Sequence, residues 1–405
     1  MSDVVAVVGA GAAGMMAAAT AARRGARVVL LEKNPQPGLK ILISGGGRCN
    51  LTTTREGQDL EAQYGLRRGR FLRHALRSFP PGALRQHVEA LGVALHEEDL
   101  EKIFPVSRRA SDIRDALVAD CVRAGVELRT SLPMRAVESD GDEFVITTAE
   151  GVLHARALVL ATGGLSYPKT GTTGDGYAVA RSFGHDLVPT VPALAPLAIR
   201  EPWLNALQGL VLDARLTLRD RGGRELVQRR RPSLITHRGL SGPAPMDVSG
   251  YVEEVGGGCT LYLDLVPDLS RDEVERSLIE QTQHAGRRAV QHVLPQHVPE
   301  RLRVALCARH GIDGTTAAEL ERDKRRALVS DLKALALRVE QSLGFAHAEV
   351  TRGGVPLDEV DPRSMQSRLR SGLFLCGEIL DVDGPIGGFN FQAAFATGRV
   401  AGLSV

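Results

Sequence analysis

The N-terminal stretch VVAVVGAGAAGMMAAATAARRGARVVLLEK, residues 4–33, constrains the fold of this chain more than any other segment. Residues 4–8 are an apolar run typical of a strand that is buried on both faces of a parallel sheet. Three glycines follow in the GxGxxG spacing, and after them come an apolar helical stretch, a second apolar strand and Glu32. Because strand, glycine turn, helix, strand and acid occur in this order, the stretch predicts a dinucleotide-binding βαβ unit.

Each glycine of this motif, and the acid that follows the second strand, has a physical role in such a unit. Gly9 would make the turn, Gly11 would let the backbone approach a pyrophosphate, and Gly14 would let helix and strand pack closely. The pyrophosphate would lie at the helix N-terminus, where unpaired N–H groups and the helix dipole favour an anion. Glu32 is placed to accept hydrogen bonds from a ribose diol. The predicted contacts of this unit are Gly9, Gly11, Ala12, Ala13, Gly14, Glu32 and Lys33.

The same stretch has a second interpretation, because residues 4–22 contain no charged side chain and could form a signal peptide or a membrane span. Asp3 stands where a signal peptide would be positive, and no polar spacer with a cleavage site follows. The glycines fall at turn positions rather than on a packing face, and no other apolar run approaches membrane length. We therefore expect a cytoplasmic protein that does not associate with membranes.

Length and composition are those of a protein with an ample core. A chain of 405 residues predicts two or three domains, and its net charge is only +2. The five cysteines are scattered and include no CxxC pair. This pattern indicates neither a disulfide framework nor a metal site, and it favours a reducing compartment.

A loop rich in glycine and proline, NPQPGLKILISGGGRCNLTT, follows Glu32 over residues 34–53. Its prolines and glycines predict the absence of a regular element, and such a loop is costly unless it wraps around something. Its polar side chains offer donors to a diphosphate or to the edge of a flavin, although an ordinary surface loop is the alternative. The candidate contacts in this loop are Lys40, Ser44, Gly46, Arg48, Cys49 and Asn50.

The rest of the chain predicts a domain that is interrupted by an insert. Residues 157–164, ALVLATGG, read as a buried strand ending in a glycine turn. From residue 188 onward, prolines and strand-like segments predict a small β domain, and residues 270–343 carry helical periodicity. Strand, glycine turn and helix return at 349–405, so this last segment most simply completes the first domain. Further predictions are a helix near 111–124 and strands near 126–130, 133–139, 143–148, 152–156, 193–200, 209–219 and 258–266.

Two windows, residues 62–88 and 226–246, contain several arginines and no acidic residue. Each predicts a local basic surface. Such a surface is either a solvated arginine-rich face or a contact for a polyanion, and the sequence leaves both open.

Five motifs occur in order along the chain: GAGAAG, ISGGGRCNLT, ATGGLSYPKTGTTGDG, THRGLSGPAPMDVS and CGEILDVDGPIGGFNFQAAFATG. On these motifs the sequence resembles the BaiN/YhiN-like family of NAD(P)/FAD-dependent flavoproteins over nearly its whole length. The resemblance implies an α/β fold, in which a Rossmann-like FAD-binding domain with a parallel sheet and a β-meander is interrupted by a β-barrel and a helical insert. The expected bounds are 1–190 and 345–405 for the FAD domain, and 191–345 for the insert, with the barrel at about 191–268 and 335–350 and the helical part at about 269–335.

The resemblance also implies further FAD contacts outside the first unit. All except Ala136, which lies in the predicted strand 133–139, have a place in a glycine turn, in the polar loop that follows the last strand or at the start of a helix. For the acids Glu378 and Asp381, a role as a loop cap is the alternative. They are Ala136, Ala161, Thr162, Gly163, Gly164, Gly377, Glu378, Asp381, Gly387, Gly388, Phe389, Asn390 and Gln392.

Family activities, by the same resemblance, include reduction of a conjugated C=C bond in a bile-acid-type enone and conversion of uridine to dihydrouridine in large-subunit ribosomal RNA. Chemically these are one reaction, with hydride added to the β carbon and a proton to the α carbon. The proton donor is not singled out by spacing, and the candidates are Cys49, Tyr167 and His237. For Cys49 the alternative is a structural role as a small, half-buried thiol.

The expected function is an FAD-dependent reductase of uridine in ribosomal RNA or its precursor. Because the chain has a single dinucleotide fingerprint, NAD(P)H is expected to bind transiently as hydride donor, or another donor reduces the flavin. One alternative is a reductase of small enones, and another is a flavin-binding redox sensor without turnover. The sequence does not indicate an oligomeric state.

Overall fold

The computed structural model describes residues 2–284 and 286–405. The chain divides into two compact units, of which the first comprises Met1–Pro192 and Ala348–Val405 and the second comprises Ala193–His347. The elements of the first unit are β1 (Val4–Val8), α1 (Ala12–Arg23), β2 (Arg27–Leu31), α2 (Leu39–Gly47), β3 (Thr52–Thr53), α3 (Gly57–Ala62), α4 (Gly65–Ser78), α5 (Pro81–Ala90), β4 (Leu95–Glu98), β5 (Lys102–Pro105), α6 (Ala110–Arg123), β6 (Glu127–Arg129), β7 (Ala136–Asp140), β8 (Glu143–Thr148), β9 (Gly151–Ala155), β10 (Ala157–Leu160), α7 (Asp175–Ser182), β11 (Val188–Ala193), and, after the second unit, β19 (Val350–Gly354), β20 (Leu373–Leu375) and α13 (Phe389–Ser404).

The second unit contains β12 (Leu197–Ala198), α8 (Pro202–Asn205), β13 (Val211–Arg219), β14 (Glu225–Thr236), β15 (Gly239–Ser241), α9 (Pro243–Glu254), β16 (Cys259–Asp264), α10 (Arg271–His284), α11 (Glu300–Arg309), α12 (Arg322–Ala334), β17 (Leu335–Val339) and β18 (Gln341–Ser342). In the part of the chain that the structure describes, no helix has both the length and the apolar character needed to cross a membrane.

A parallel sheet with the strand order β20-β10-β1-β2-β6 forms the centre of the first unit. Every residue of β1 is buried, as expected for an apolar strand that has neighbours on both sides. Val5 pairs with Ala157 of β10 and with Val28 of β2. On the far side of β10, Leu158 pairs with Leu373, so the last strand of the chain extends the sheet that the first strand begins.

Small residues allow α1 and α13 to pack closely against each other. A Cβ atom at Gly398 would collide with the carbonyl oxygen of Ala13, and one at Gly402 would collide with that of Ala17. The alanine-rich sequence of α1 and the glycines of α13 therefore serve the same contact. The N-terminal half of α1 therefore packs against the C-terminal half of α13.

The prediction that residues 34–53 contain no regular element is wrong for its central part. Helix α2 covers Leu39–Gly47, although Ser44, Gly45 and Gly46 within it have non-helical dihedral angles. The apolar run LKILI lies between the breaking residues of both flanks, and Ile41 is buried against the core. Burial of one apolar face thus stabilises a short helix that the flanking glycines and prolines obscured in the sequence.

In the second unit an antiparallel sheet has the strand order β17-β16-β13-β14-β15-β12-β18. Strands β17 and β18 are separated by Glu340 alone, and they pair with β16 and β12 at opposite ends of that order. The segment 335–342 therefore joins the two edges and closes the sheet into a barrel. Together with the parallel sheet of the first unit, this confirms the predicted fold class.

Most other predicted elements of the first unit are present within one to three residues of the expected bounds, including α6 and the meander β7, β8 and β9. In the second unit one predicted strand is mostly absent, and one observed strand was not predicted. Of residues 193–200, Ala193 ends β11 and Leu197–Ala198 form β12, whereas residues 194–196, which include Pro196, belong to no strand. The long strand β14 was not predicted, since its run of arginines hides the alternation of buried and exposed side chains.

Candidate cofactor site

The first glycine turn lies at the carboxyl end of β1, and two of its glycines are required by the fold itself. Gly9 has φ +100°, and a Cβ atom there would lie 2.5 Å from the Ala161 carbonyl oxygen. A Cβ atom at Gly14 would collide with the carbonyl oxygen of Gly9. The turn therefore holds β1, α1 and the end of β10 in direct contact.

Gly11 differs from its two neighbours in the motif. A Cβ atom at this position would meet no protein atom within 4 Å, and its φ of −87° is accessible to any L-residue. The packing of the protein thus gives no reason for a glycine here. The open space lies at the start of α1, where the first helical hydrogen bond runs from the Met15 N–H to the Gly11 carbonyl and leaves the preceding amides without helical partners. A glycine that faces open space at a helix N-terminus fits the close approach of a pyrophosphate.

Glu32 lies beside this turn at the end of β2 and is almost fully buried. Its Oε2 atom accepts a hydrogen bond from the Ala10 N–H at 2.9 Å, and its Oε1 atom accepts from the backbone and side-chain nitrogens of Asn34 at 2.9 and 2.7 Å. These bonds fix the carboxylate next to the glycine turn. Lys33 instead pairs with Asp175.

Ala136, which was also predicted to contact the cofactor, is exposed at the start of β7. The segment that contacts Glu32 lies a few residues before Ala136 in the chain. There the Leu132 N–H donates to the Glu32 carbonyl and the Ser131 N–H donates to the Asn34 carbonyl, each at 2.9 Å.

The second glycine turn follows β10, where the Ala161 N–H donates to the Val8 carbonyl at 2.9 Å. Gly163 has φ +74°, and a Cβ atom at Gly164 would collide with the side chain of Thr351. Thr351 was missed by sequence reasoning. Its hydroxyl accepts hydrogen bonds from the N–H groups of Leu165 at 2.7 Å and Ser166 at 3.1 Å, and so it holds the turn in place.

Lys40 and Glu378, both predicted as cofactor contacts, bind each other. The ammonium group of Lys40 contacts the Glu378 carboxylate and the Ser166 hydroxyl. Glu378 Oε1 accepts further hydrogen bonds from the Ser166 hydroxyl and the Thr351 N–H, both at 2.8 Å. The pair thus ties α2 to the turn after β20, where a Cβ atom at Gly377 would lie 2.8 Å from the Ala13 side chain.

Two more polar residues of the segment after Glu32 have protein partners. Arg48 donates to both oxygens of Glu98, at 3.1 and 2.9 Å, and its guanidinium lies over the Phe104 ring at 4.4 Å. Ser44 donates to the Ile41 carbonyl at 2.7 Å. The Arg48 side chain is thus held by Glu98 and Phe104, and its contact with a diphosphate or a flavin edge stays a prediction.

Gly46 and Asn50 differ in their surroundings. Gly46 faces open space, because a Cβ atom there would meet no protein atom within 4 Å. With its amide oriented to satisfy both groups, Asn50 donates to the Thr52 carbonyl at 3.1 Å and accepts from the Gly388 N–H at 3.0 Å. Asn50 therefore links this segment to the start of α13.

Cys49 is 1% exposed and has φ +59°, a left-handed conformation that is costly for a residue other than glycine. Its N–H donates to the Ser44 carbonyl at 3.0 Å. Burial raises the pKa of the Cys49 thiol to about 12, so the side chain keeps its proton at neutral pH.

The start of α13 is held by side chains that were predicted to touch the cofactor directly. Both ends of the Asn390 amide bond the backbone of Gly384 at 2.9 Å. The buried Gln392 accepts from the Thr52 hydroxyl and donates to the Phe79 carbonyl, each at 2.7 Å. These two side chains position the turn rather than remaining available to a ligand. The turn includes Gly387 and Gly388, both with positive φ, and the buried Phe389.

Asp381 is also engaged within the protein. Its carboxylate, 4% exposed, pairs with Arg68 of α4 at 2.7 Å. Arg68 also lies 3.0 Å from Asp383, which accepts two hydrogen bonds from Arg352 at 3.0 and 2.9 Å. This buried network was not visible in the sequence, because its members come from three distant segments.

The three candidate proton donors have different environments. Tyr167, in the first unit, is half-buried with φ +50°, and burial followed by the nearby Glu349 raises the pKa of its phenol. Cys49 is buried in the same unit. His237 is exposed in the turn between β14 and β15 of the second unit.

Four segments therefore converge in the first unit: the turn after β1, the turn after β10, the segment of α2 to β3, and the segment from β20 to α13. The amides at the start of α1, the open space at Gly11 and the oriented Glu32 carboxylate suit a dinucleotide. Two buried hydroxyls here, those of Thr162 and Tyr177, have no hydrogen-bond partner among the described residues, which fits a polar ligand at this place. Fold and site define an FAD-dependent oxidoreductase of the Rossmann type.

The chain belongs to the HI0933-like family, because the family described as "HI0933-like protein Rossmann domain" matches residues 3–404. This confirms the resemblance inferred from the motifs. The chain is 34% identical over 394 residues to the ribosomal RNA dihydrouridine synthase of Escherichia coli (strain K12), covering 96% of this chain and 95% of that protein. It is 31% identical over 404 residues to the 3-dehydro-bile acid delta(4,6)-reductase of Clostridium scindens, covering 98% of both.

A solved structure with a similar fold is the 3-ketosteroid delta1-dehydrogenase of Sterolibacterium denitrificans. The TM-score is 0.53, with 14% sequence identity and 99% of each chain covered. At this identity the likeness concerns the fold alone.

Proposed function

We propose that this oxidoreductase reduces the C5=C6 bond of a uridine in large-subunit ribosomal RNA, giving dihydrouridine. The observation that carries the proposal is the similarity, over nearly the full length of both chains, to the ribosomal RNA dihydrouridine synthase of Escherichia coli. A reductase of small enones is the second candidate, favoured by the similarity of equal extent to the bile acid reductase.

Both candidates need the same chemistry. Bound FAD supplies hydride chemistry, and NAD(P)H is the proposed transient donor that reduces it. The protein has to deliver a proton to the carbon next to the carbonyl group and to stabilise the negative charge that develops on the carbonyl oxygen. It also has to hold the cofactor in a fixed position.

We assign the cofactor-holding roles according to which groups remain available. The amides of Ala12 and Ala13 at the start of α1 would bind the pyrophosphate, and Glu32 would orient the adjacent ribose. The amides at the start of α13 would lie near the flavin, where the positive end of the helix dipole favours negative charge. Lys40, Glu378 and Gln392 act indirectly, because their side chains are bound by other protein groups.

For the proton donor we propose Cys49, with Tyr167 and His237 as the alternatives. The Cys49 thiol keeps its proton at neutral pH, so it has a proton to donate, and it follows the glycine segment at the proposed cofactor site. Its high pKa makes the transfer slower than from a more acidic group. Replacing Cys49 by alanine should therefore slow substrate reduction while leaving reduction of the flavin by NAD(P)H unchanged. If the Cys49 variant is unaffected, and Tyr167→Phe or His237→Gln slows substrate reduction without changing flavin reduction, the residue replaced in that variant would be the proton donor.

The proposed substrate is tested by mass spectrometry of ribosomal RNA from a strain that lacks this gene. Loss of dihydrouridine at one position, restored by the intact gene, is the expected result. Unchanged dihydrouridine, together with NAD(P)H-dependent reduction of enones by the purified protein, would favour the second candidate. If the protein binds FAD but does not oxidise NAD(P)H with any acceptor tested, it would instead be a redox sensor.

A further inference from the structure

The first turn of α7 contains a tyrosine that none of the motif arguments assigned to the site. Tyr177 is 7% exposed, and its hydroxyl is buried without a hydrogen-bond partner among the described residues. The hydroxyl of Thr162, in the turn after β10, is also buried without a hydrogen-bond partner among the described residues. A buried hydroxyl that has lost its contact with water and found no other partner is unfavourable, and native proteins contain few of them.

The Thr162 hydroxyl lies against the first turn of α7, the turn that carries Tyr177. A Cβ atom at Gly176 would collide with the Thr162 hydroxyl and would lie 2.8 Å from Cδ1 of Ile379. The first turn of α7 is therefore pressed between the turn after β10 and the turn after β20. Both of these turns contain predicted FAD contacts, Gly163 and Gly164 after β10, and Gly377 and Glu378 after β20.

The surroundings of Tyr177 explain which role its hydroxyl can take. Burial, followed by the nearby carboxylates of Glu378 and Asp381, raises the pKa of the phenol. The hydroxyl therefore keeps its proton and acts as a hydrogen-bond donor. Neither carboxylate accepts a hydrogen bond from the phenol, and no other described residue does, so the acceptor is sought outside the protein.

We propose that the Tyr177 hydroxyl donates a hydrogen bond to an oxygen of the bound FAD, in its phosphate- or hydroxyl-bearing middle part. Such oxygens are the acceptors that a dinucleotide offers between its two ring systems. The inference rests on FAD as the cofactor. It adds to the glycine motifs a side-chain contact from a helix that carries no nucleotide fingerprint.

The experiment measures two properties of Tyr177→Phe whose expected changes have opposite signs. Removing an orphaned hydroxyl should leave the melting temperature of the FAD-free protein unchanged or raise it. The same change should weaken FAD binding at least fivefold, measured by fluorescence titration of the FAD-free protein and by the rate of FAD release from the loaded protein. Thr162→Val should act in the same direction.

Two matched variants serve as controls. Tyr64 is also a buried tyrosine of the first unit, but its hydroxyl donates to the Phe389 carbonyl at 2.7 Å. Tyr64→Phe should therefore lower the melting temperature of the FAD-free protein, which shows that the measurement detects a lost internal bond. Tyr262→Phe, in β16 of the second unit, should change FAD affinity by less than twofold.

The outcomes separate this inference from the cofactor assignment. If the unaltered protein binds no FAD, the cofactor assignment fails and the inference fails with it. If the unaltered protein binds FAD and Tyr177→Phe binds it equally well, the inference alone is overturned. A lower melting temperature with unchanged FAD affinity would likewise overturn it, since a buried water would then be the partner of the hydroxyl.

Discussion

The guanidinium of Arg68 lies 2.7 Å from the carboxylate of Asp381, a residue more than three hundred positions later in the chain. Arg68 belongs to the window 62–88, which contains no acid of its own. The same window loses further positive charge to Glu61, which pairs with both Arg73 and Arg77 at 2.9 Å. Much of this apparent basic surface is thus neutralised within the protein.

Because Arg68 supports two buried carboxylates, its replacement should be costly. Removing one partner of a buried ion pair costs about 3–5 kcal/mol where the remaining charge has no other partner. Here Arg67 still lies 3.7 Å from Asp381, and Arg352 still binds Asp383, so the cost should be smaller. Arg68→Met should therefore lower the free energy of unfolding by about 2 kcal/mol, measured by urea denaturation. Arg70→Met, on the exposed side of the same helix, should change it by less than about 0.5 kcal/mol. Equal effects of the two variants would contradict the network.

The RNA proposal gives a different prediction for arginines that remain available. Within the described residues, Arg70 has no ion-pair partner, and Arg229 donates only to the Gln228 carbonyl. If ribosomal RNA is the substrate, the double variant Arg70→Ala/Arg229→Ala should flatten the slope of log K against log salt by about 1.5, since each phosphate contact contributes about 0.7–0.9.

The matched control for this measurement is Arg230→Ala. Arg230 is exposed too, but it pairs with Asp268 at 2.7 Å and with Asp213 at 3.5 Å, so its charge is largely compensated. A salt slope that changes as much in this variant as in the double variant would show that the ion pairs do not decide which arginines contact phosphate. An unchanged slope in the double variant would argue for the small-molecule substrate.

Gly11→Val should abolish FAD binding without unfolding the protein. A Cβ atom at this position meets no protein atom within 4 Å, but a valine side chain would extend into the space in which the pyrophosphate is proposed to bind. The variant should have the circular dichroism spectrum and melting temperature of the FAD-free parent. Gly14→Val is the contrast, because its side chain collides with the Gly9 carbonyl and should destabilise the fold itself. Full FAD content in Gly11→Val would refute the placement of the cofactor.

Stability should fall at alkaline pH, and Cys49 should contribute to the decline. The pKa of its thiol rises from 9.0 to about 12 on burial, so above about pH 9 the unfolded chain loses a proton that the folded protein keeps. The stabilisation is complete below pH 9 and is lost as the pH rises towards 12, at about 1.4 kcal/mol per pH unit for one group.

Urea denaturation between pH 9.5 and 11 tests this contribution. Relative to the unaltered protein, Cys49→Ala should reduce the slope of the unfolding free energy against pH by about 1.4 kcal/mol per pH unit, which corresponds to one proton. Cys121→Ala should do the same, because burial also raises that thiol's pKa to about 12. An identical pH dependence in all three proteins would contradict the burial of the thiols.

The sequence by itself determined the βαβ unit, the fold class and the family. Those features depend on local spacing: Gly9 and Gly14 are required by contacts within a few residues or with the adjacent strand, and the apolar run of β1 needs no information from elsewhere. The recurrence of strand, glycine turn and helix at the end of the chain also predicted that this segment completes the first domain, although its pairing partner, β10, is known only from the structure.

Only the tertiary structure decided which polar groups remain available. Lys40, Arg48, Glu378, Asp381 and Gln392 all carry suitable chemistry, but each is satisfied by a protein partner that is distant in the chain. A sequence shows the presence of a charge, whereas its compensation depends on which segments the fold brings within hydrogen-bonding distance. For the same reason the orphaned hydroxyl of Tyr177 is visible only in the folded chain, because a missing partner can be recognised only where all neighbours are in place.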